Sequence, residues 1–148
     1  METAAIIRFD GTSKVQRGNG VVTTLLVGRE SVPGSVFTSG LTSFPPERSA
    51  PTHSHNCGEQ VTLLEGEGEV EVDGHTTSLK KYDTTYIPAG KSHRFNNIGK
   101  GPLVILWIYA ATHVTRTFTK TGQTVDHLSP QDTVAHDGER DEIPQKDR

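Results

Sequence analysis

Two histidines and a glutamate lie close together in the segment HSHNCGE, which begins at His53. On a β-strand, side chains two residues apart project from the same face, so His53 and His55 are expected side by side. Glu59 has the same parity and joins them if the loop between keeps the chain direction. Two imidazoles and one carboxylate on a shared face are typical ligands of a divalent transition metal. A solvated polar strand edge is the alternative interpretation.

This segment resembles the first motif of the cupin superfamily, in which a His-x-His pair precedes a glutamate and then a glycine. The matching residues, with no spacing error, are His53, His55, Glu59 and Gly66. A later segment, PAGKSHRFNN, resembles the second cupin motif. Its matching residues are Pro88, Gly90, His93 and Asn97. The chain departs from this second motif at Tyr82, where the family usually has a glycine.

The resemblance implies an all-β fold, a small jelly-roll β-barrel in a single domain. It also implies that His53, His55, Glu59 and His93 converge inside the barrel on one metal ion. Three imidazoles and a carboxylate suit Fe(II), Mn(II), Ni(II), Co(II) or Zn(II), and ligand type does not choose among these ions. We expect one divalent transition metal and favour Fe(II), because open coordination positions would accept substrate and oxygen.

Strand and turn signals surround the two motifs, as a β-barrel requires. Residues 4–9, 20–28 and 35–44 are β-rich and bounded by turn residues, and Asp73-Gly74 predicts a tight hairpin after the alternating run EVEV. The block LVILWIYA (103–110) is apolar at every position, which predicts burial of both faces and favours a homodimer. No segment has a convincing amphipathic helix pattern.

The domain organisation follows from length and composition. At 148 residues the chain suits one domain. We assign residues 1–128 to the barrel with a C-terminal arm, which forms a last strand or a swapped arm, and 129–148 to a polar, flexible tail.

A formal net charge of −3 without a basic cluster argues against nucleic acid as a partner. No apolar run is long enough for a membrane helix, so a cytoplasmic protein is expected. Cys57, the single cysteine, excludes an internal disulfide.

Residues near the motifs are candidates for a substrate pocket. The candidates are Phe95, Tyr86, Trp107 and Tyr109, although buried aromatic side chains usually only pack. Arg48 and Arg94 are the nearest cations along the sequence, and a guanidinium near the metal would favour a carboxylate-bearing substrate. Arg94 follows His93 directly and should point out of the barrel. His127 is interpreted as a surface or structural residue, and no catalytic residue can be assigned.

Three functions compete. The first is a mononuclear metal oxygenase, resembling the dioxygenases among cupins, that acts on a small organic molecule. The second is a redox-neutral metal enzyme, a lyase, isomerase or hydrolase, which needs a general base that the sequence does not identify. The third is a non-catalytic barrel that binds a small ligand; such cupins often lose metal ligands, whereas this chain keeps all four. We favour the oxygenase.

Overall fold

The computed structural model describes residues 3–134, which form two antiparallel six-stranded sheets. The strands are β1 (Lys14–Gly18), β2 (Val21–Val27), β3 (Thr38–Phe44), β4 (His53–His55), β5 (Glu59–Glu65), β6 (Gly68–Val72), β7 (His75–Leu79), β8 (Thr84–Ile87), β9 (His93–Asn97), β10 (Leu103–Tyr109), β11 (Thr115–Phe118) and β12 (Thr124–Asp126). The first sheet has the order β1-β2-β3-β10-β5-β8 and the second the order β12-β11-β4-β9-β6-β7. The predicted all-β jelly roll is confirmed, and no helix in the described range is long and apolar enough to span a membrane.

The hydrophobic core lies between the two sheets. Strand β10 contributes Leu103, Ile105, Trp107 and Tyr109, each at most 6% exposed. The alternate residues of β10 are half-buried on the outer side. The block that looked apolar on both faces therefore has one face in the core and a second, half-buried face on the outer side of a central strand.

The N-terminal segment differs from the prediction. Residues 4–9 form no strand; they lead into a 3₁₀ turn at Phe9–Gly11. Ile6 is 71% exposed and Phe9 46% exposed. The β-rich composition of this segment was misleading because strands need a neighbouring strand to complete their hydrogen bonds, and β1 begins the sheet only at Lys14.

The C-terminal arm folds back onto its own chain. Strands β11 and β12 form a hairpin, and β11 pairs with β4, so the arm supplies the last two strands of the second sheet. The predicted flexible tail from Ser129 needs correction, since the chain as far as Val134 packs against the barrel. The Val134 backbone N–H donates to the Arg17 carbonyl, and Asp132 is 2% exposed. Residues 135–148 lie outside the described residues.

Asp132 joins this arm to both sheets. Its Oδ1 atom lies 3.0 Å from Arg17 Nη2 on β1 and 3.3 Å from Arg116 Nε on β11. Burial by itself would raise the pKa of Asp132. The guanidinium groups of Arg116 and Arg17 outweigh that effect and lower the pKa from 3.8 to about 2. The carboxylate is therefore charged throughout the neutral range and stabilises the folded state.

Asp132→Asn is expected to destabilise the fold at pH 7 by roughly 3–5 kcal/mol, because it leaves two buried guanidinium groups without their anion. The depressed pKa means that the carboxylate's contribution is complete above pH 4 and is lost as the pH falls towards 2. Urea unfolding at several pH values measures the free energy of unfolding of both proteins. The gap between the wild-type and variant values should narrow by roughly 2 kcal/mol over that range. The exposed Asp126→Asn is the control. A gap that stays constant with pH would contradict the assignment.

Left-handed backbone marks three turns near the motif residues. Gly66 and Gly90 have φ values of 92° and 79°, which glycine adopts without strain. Tyr82, at the position where cupins usually have glycine, has a φ of 74°. Its side chain is 67% exposed, so little packing compensates for this conformation. The departure from the motif therefore leaves local strain at Tyr82.

Tyr82→Gly is expected to stabilise the protein by roughly 0.5–1 kcal/mol, because it removes the left-handed penalty at the cost of some entropy in the unfolded chain. The urea midpoint should rise while the m-value stays constant. Tyr82→Ala is the matched control, since it removes the same ring and keeps the strain. Equal gains from both variants would show that the ring, rather than the backbone, is unfavourable.

Candidate metal centre

The four predicted ligands meet inside the barrel from both sheets. His53 and His55 lie on β4, and His93 on β9 is the direct cross-strand partner of His53. Glu59 begins β5 in the opposite sheet. All four residues are at most 5% exposed. His53, His55 and Glu59 therefore face the same interior, as strand alternation predicted. His93 lies beside these three residues, as the resemblance to the second motif implied.

The distances within this cluster are short. One ring nitrogen from each of the three histidines lies within 4.8 Å of the other two. Glu59 Oε1 lies 3.1 Å from His93 Nε2 and 3.7 Å from His55 Nε2. The three imidazoles thus form a group that could hold a metal ion, and the carboxylate lies against two of them.

Backbone carbonyl groups orient the three imidazole rings. In each histidine, Nδ1 lies within hydrogen-bond distance of a carbonyl oxygen. The pairs are His53 with Pro51 at 2.6 Å, His55 with Thr115 at 3.0 Å and His93 with Lys91 at 2.9 Å. A carbonyl oxygen only accepts, so each Nδ1 carries a proton and donates it. Each Nε2 is then left as the atom available to a metal, which is the arrangement found around metal-binding histidines.

The donor set fits a divalent metal. With its proton on Nδ1, neutral His93 has a lone pair on Nε2, and Nε2 lies 3.1 Å from a carboxylate oxygen of Glu59. Two acceptors at this distance need a cation between or beside them, either a proton or a metal ion. Three imidazoles and one carboxylate are borderline ligands that suit first-row transition ions rather than Ca²⁺ or Mg²⁺.

The electrostatics keep these ligands in their metal-binding forms. Burial lowers the pKa of His53 well below its usual value and that of His55 to about 3, with the charge of Arg116 acting in the same direction. Burial alone would raise the pKa of Glu59, but the short contact with His93 Nε2 and the nearby positive charges bring it below the usual range. At neutral pH, His53 and His55 are therefore neutral and Glu59 is ionised.

A small cavity adjoins the cluster. Its free space, counted as room for the centres of water molecules, is about 30 Å³, which accommodates roughly two waters. Apolar side chains form most of the wall, while the metal ligands and a few polar groups face the interior. The lining residues are Arg17, Val21, Thr42, Phe44, Ala50, His53, Glu59, His93, Phe95, Ile105, Trp107, Tyr109, Arg116, His127 and Val134.

Three of the four predicted pocket residues line this cavity, namely Phe95, Trp107 and Tyr109. Tyr86 does not line it and is 68% exposed, so that prediction is wrong. In the β5–β8 ladder, Tyr86 pairs with Gln60. Both side chains have the parity opposite to Glu59 and point outwards. Nearness to the motif along the sequence was a poor guide, whereas strand alternation would have placed Tyr86 correctly.

The cations near the ligands are not the ones nearest along the sequence. Arg48 is exposed, and Arg94 points outwards as predicted, where it contacts Glu71 at 3.2 Å. Arg17 and Arg116 line the cavity instead and are 3% and 5% exposed. Sequence reasoning missed both. The signal for Arg116 was the alternation in HVTRTF, since the residues two positions before and after it are apolar and buried.

His127 separates the cavity from an outer cleft. The volume of this cleft, on the same measure as for the cavity, is about 230 Å³. The His127 imidazole lines both spaces. It packs edge-on against Trp107 and Tyr109, with ring centroids 5.1 Å and 5.0 Å away. Burial lowers the pKa of His127 to about 3. The ring is therefore a neutral wall, which fits the structural alternative of the sequence interpretation.

Comparison with known proteins agrees with this geometry. Residues 40–109, which include all four candidate ligands, match the family model of the cupin domain (Cupin_2). This part of the chain is a cupin domain. An uncharacterized protein of Methanocaldococcus jannaschii is 42% identical over 55 residues, or 36% of this cupin and 44% of that protein. The match thus spans less than half the length of that curated relative.

Solved structures with the same fold have diverged widely in sequence. A cupin-superfamily sugar phosphate isomerase from Silicibacter pomeroyi superposes with a TM-score of 0.68 at 20% identity, over 82% of this cupin and 86% of that chain. A predicted oxalate decarboxylase from Thermotoga maritima has a TM-score of 0.63 at 22% identity, over 72% and 99% of the two chains. Likenesses at these identities establish the fold and leave the reaction to be argued from the site.

His55→Ala is expected to abolish metal binding and to leave the barrel folded, because it removes one imidazole from the centre and keeps every backbone hydrogen bond of β4. Elemental analysis of protein purified without chelators should show the metal content falling from near one ion per chain to near zero. His75→Ala, on the exposed strand β7, is the matched control. A His55→Ala protein with undiminished metal content would refute the ligand assignment.

Proposed function

We propose that this cupin is a mononuclear metal-dependent enzyme that uses molecular oxygen to oxidise a small organic molecule. In this proposal Glu59 is the fourth ligand beside the three histidines, and Fe(II) is the favoured ion. Such an ion would supply one-electron chemistry and open coordination positions for substrate and oxygen. The observation that carries the proposal is a buried cluster of metal ligands at a small cavity whose other groups are poor proton acceptors.

The residues that line the cavity lack an effective base near neutral pH. Glu59 lines the cavity and is ionised, but it lies against the histidines. Asp132, which does not line the cavity, is held between two arginines. Burial, reinforced by Glu59, raises the pKa of Tyr109 well above its usual value, so its hydroxyl keeps its proton. With its pKa lowered to about 3, His127 is too weak a base. A reaction that needs proton abstraction by a side chain is therefore disfavoured.

The cavity's own residues would exclude water and orient the substrate. Phe44, Phe95 and Trp107 form apolar walls that are at most 6% exposed, so a bound molecule is shielded from solvent. The Tyr109 hydroxyl lies 3.3 Å from His55 Nε2, beside the ligand cluster. Because it stays protonated, this hydroxyl can donate a hydrogen bond to an oxygen of the substrate. These side chains thus position and desolvate the substrate, while the redox chemistry belongs to the ion.

A redox-neutral metal enzyme is the second candidate. The solved structures described as a sugar phosphate isomerase and a predicted oxalate decarboxylase favour it. In such a reaction the metal would polarise a carbonyl or carboxylate group. A non-catalytic binding barrel is disfavoured because the chain has all four motif ligands.

A homodimer and a cytoplasmic location stay predictions. The half-buried outer face of β10 supports the homodimer.

Metal content and oxygen dependence separate the candidates. Protein purified without chelators and without air should contain near-stoichiometric iron, and it should consume oxygen in proportion to product when screened against small carboxylic acids, diketones, phenols and thiols. His55→Ala, reconstituted in the same way, is the control and should be inactive. Equal conversion with and without oxygen would move the assignment to the redox-neutral class. Conversion that is insensitive to removal of the metal would refute both.

A further inference from the structure

Arg116 is a buried cation beside the metal ligands. In the ladder between β11 and β4 it pairs directly with His55. Cross-strand partners project from the same face of a sheet with their Cβ atoms about 5 Å apart. The Arg116 side chain therefore enters the cavity next to the cluster, which agrees with its place in the cavity lining. Its charge also contributes to the lowered pKa values of His53 and His55.

The two buried arginines differ in how fully their donors are used. Arg17 donates from Nε to the Asp132 carbonyl at 3.1 Å and from Nη1 to Thr23 Oγ1 at 3.0 Å, and its Nη2 lies 3.0 Å from Asp132 Oδ1. Arg116 has Nε 3.3 Å from the same Oδ1 and a hydrogen bond with Tyr109, and its Nη1 makes no well-formed hydrogen bond among the described residues. Arg17 Nη2 also lacks a well-formed hydrogen bond. Arg17 thus uses Nε and Nη1 in the fold, whereas Arg116 has its Nη1 donor left over beside the metal ligands.

The charges around the cavity leave a place for an anion. The guanidinium groups of Arg17 and Arg116 are balanced by the carboxylates of Asp132 and Glu59. A divalent ion held by the histidines would then give this closed space a net positive charge. Buried charge without a counter-ion is strongly unfavourable. An anionic ligand bound between the metal and Arg116 would compensate this positive charge.

We propose that the substrate carries a carboxylate and that Arg116 is the specificity-determining residue that binds it. This inference deepens the proposed function, on which it rests for the metal-bound state of the same cavity. The planar guanidinium matches a carboxylate through paired hydrogen bonds. The free space of about 30 Å³ limits the ligand to a few non-hydrogen atoms, which favours a short-chain acid over a phosphorylated sugar.

Ligand binding can be measured without turnover. Protein loaded with redox-inert Zn²⁺ is titrated with acetate, with its neutral analogue acetamide and with inorganic phosphate at constant ionic strength. Trp107 is the single tryptophan and lies in the cavity wall, so its fluorescence reports on the cavity. Acetate should bind saturably and more tightly than acetamide or phosphate. Arg116→Met should weaken acetate binding by about 10- to 100-fold, the expected loss for a charge-assisted hydrogen bond.

Arg94→Met is the matched control, since Arg94 neighbours a metal ligand along the chain but points outwards; it should bind acetate as the wild type does. Unchanged acetate affinity in a zinc-loaded, folded Arg116→Met protein would overturn the inference. So would equal binding of acetamide, tighter binding of phosphate, or no acetate binding by the wild type. If Arg116→Met does not fold or does not hold zinc, Arg116→Lys decides, because it keeps the charge and loses the planar fork. It should prefer acetate to acetamide with weakened affinity, and wild-type affinity would overturn the assignment.

These binding measurements use no oxygen and no turnover, so they can fail separately from the proposed reaction. Acetate binding that depends on Arg116, in a protein that consumes no oxygen with any acid tested, would refute the oxidation and keep the anion site. Oxygen consumption with a neutral substrate, undiminished in Arg116→Met, would keep the oxidation and refute the anion site.

Discussion

One carboxylate oxygen, Oδ1 of Asp132, lies between two buried guanidinium groups and holds one end of the barrel together. Arg17 comes from the first strand, Arg116 from the penultimate one, and Asp132 from the segment after the last strand. Each charge would be costly to bury alone, and together they are stable only when all three elements are in place. The same contact orients Arg116 towards the metal cluster. The closure of the fold and the polarity of the cavity therefore depend on one interaction.

A chain of buried hydrogen bonds extends from this contact across the first sheet. Arg17 donates to Thr23, the Thr23 and Thr42 hydroxyls are 2.9 Å apart, and Trp107 Nε1 donates to Thr42 at 2.8 Å. Each of these polar groups is satisfied away from water, which gives the side chains defined orientations. The indole that forms a wall of the cavity is thus coupled to the charges at its end. The interior is a preorganised polar site within an otherwise apolar core.

The metal centre depends on the two sheets facing each other. Three histidines lie on adjacent strands of the second sheet, and backbone carbonyls fix their tautomers. Glu59 reaches them from the first sheet. With Glu59 as the proposed fourth ligand, the ligand set comes from both sheets, and a metal bound here would link the sheets and stabilise their packing. Arg116, on the strand beside β4, adds a cation next to this centre without being a ligand.

The sequence by itself determined the fold class and the four candidate ligands through its resemblance to the two cupin motifs. It also determined the outward orientation of Arg94, because strand alternation is a local rule that holds wherever a strand forms. The same rule, applied to Arg116 and Tyr86, would have placed them correctly. Only the tertiary structure decided which charges are buried. Arg17 and Asp132 are 115 positions apart, and no local pattern shows that either has a partner. Burial of a charge depends on a counter-charge in three dimensions, so the polar end of the cavity is visible only when the two sheets and the C-terminal arm are brought together.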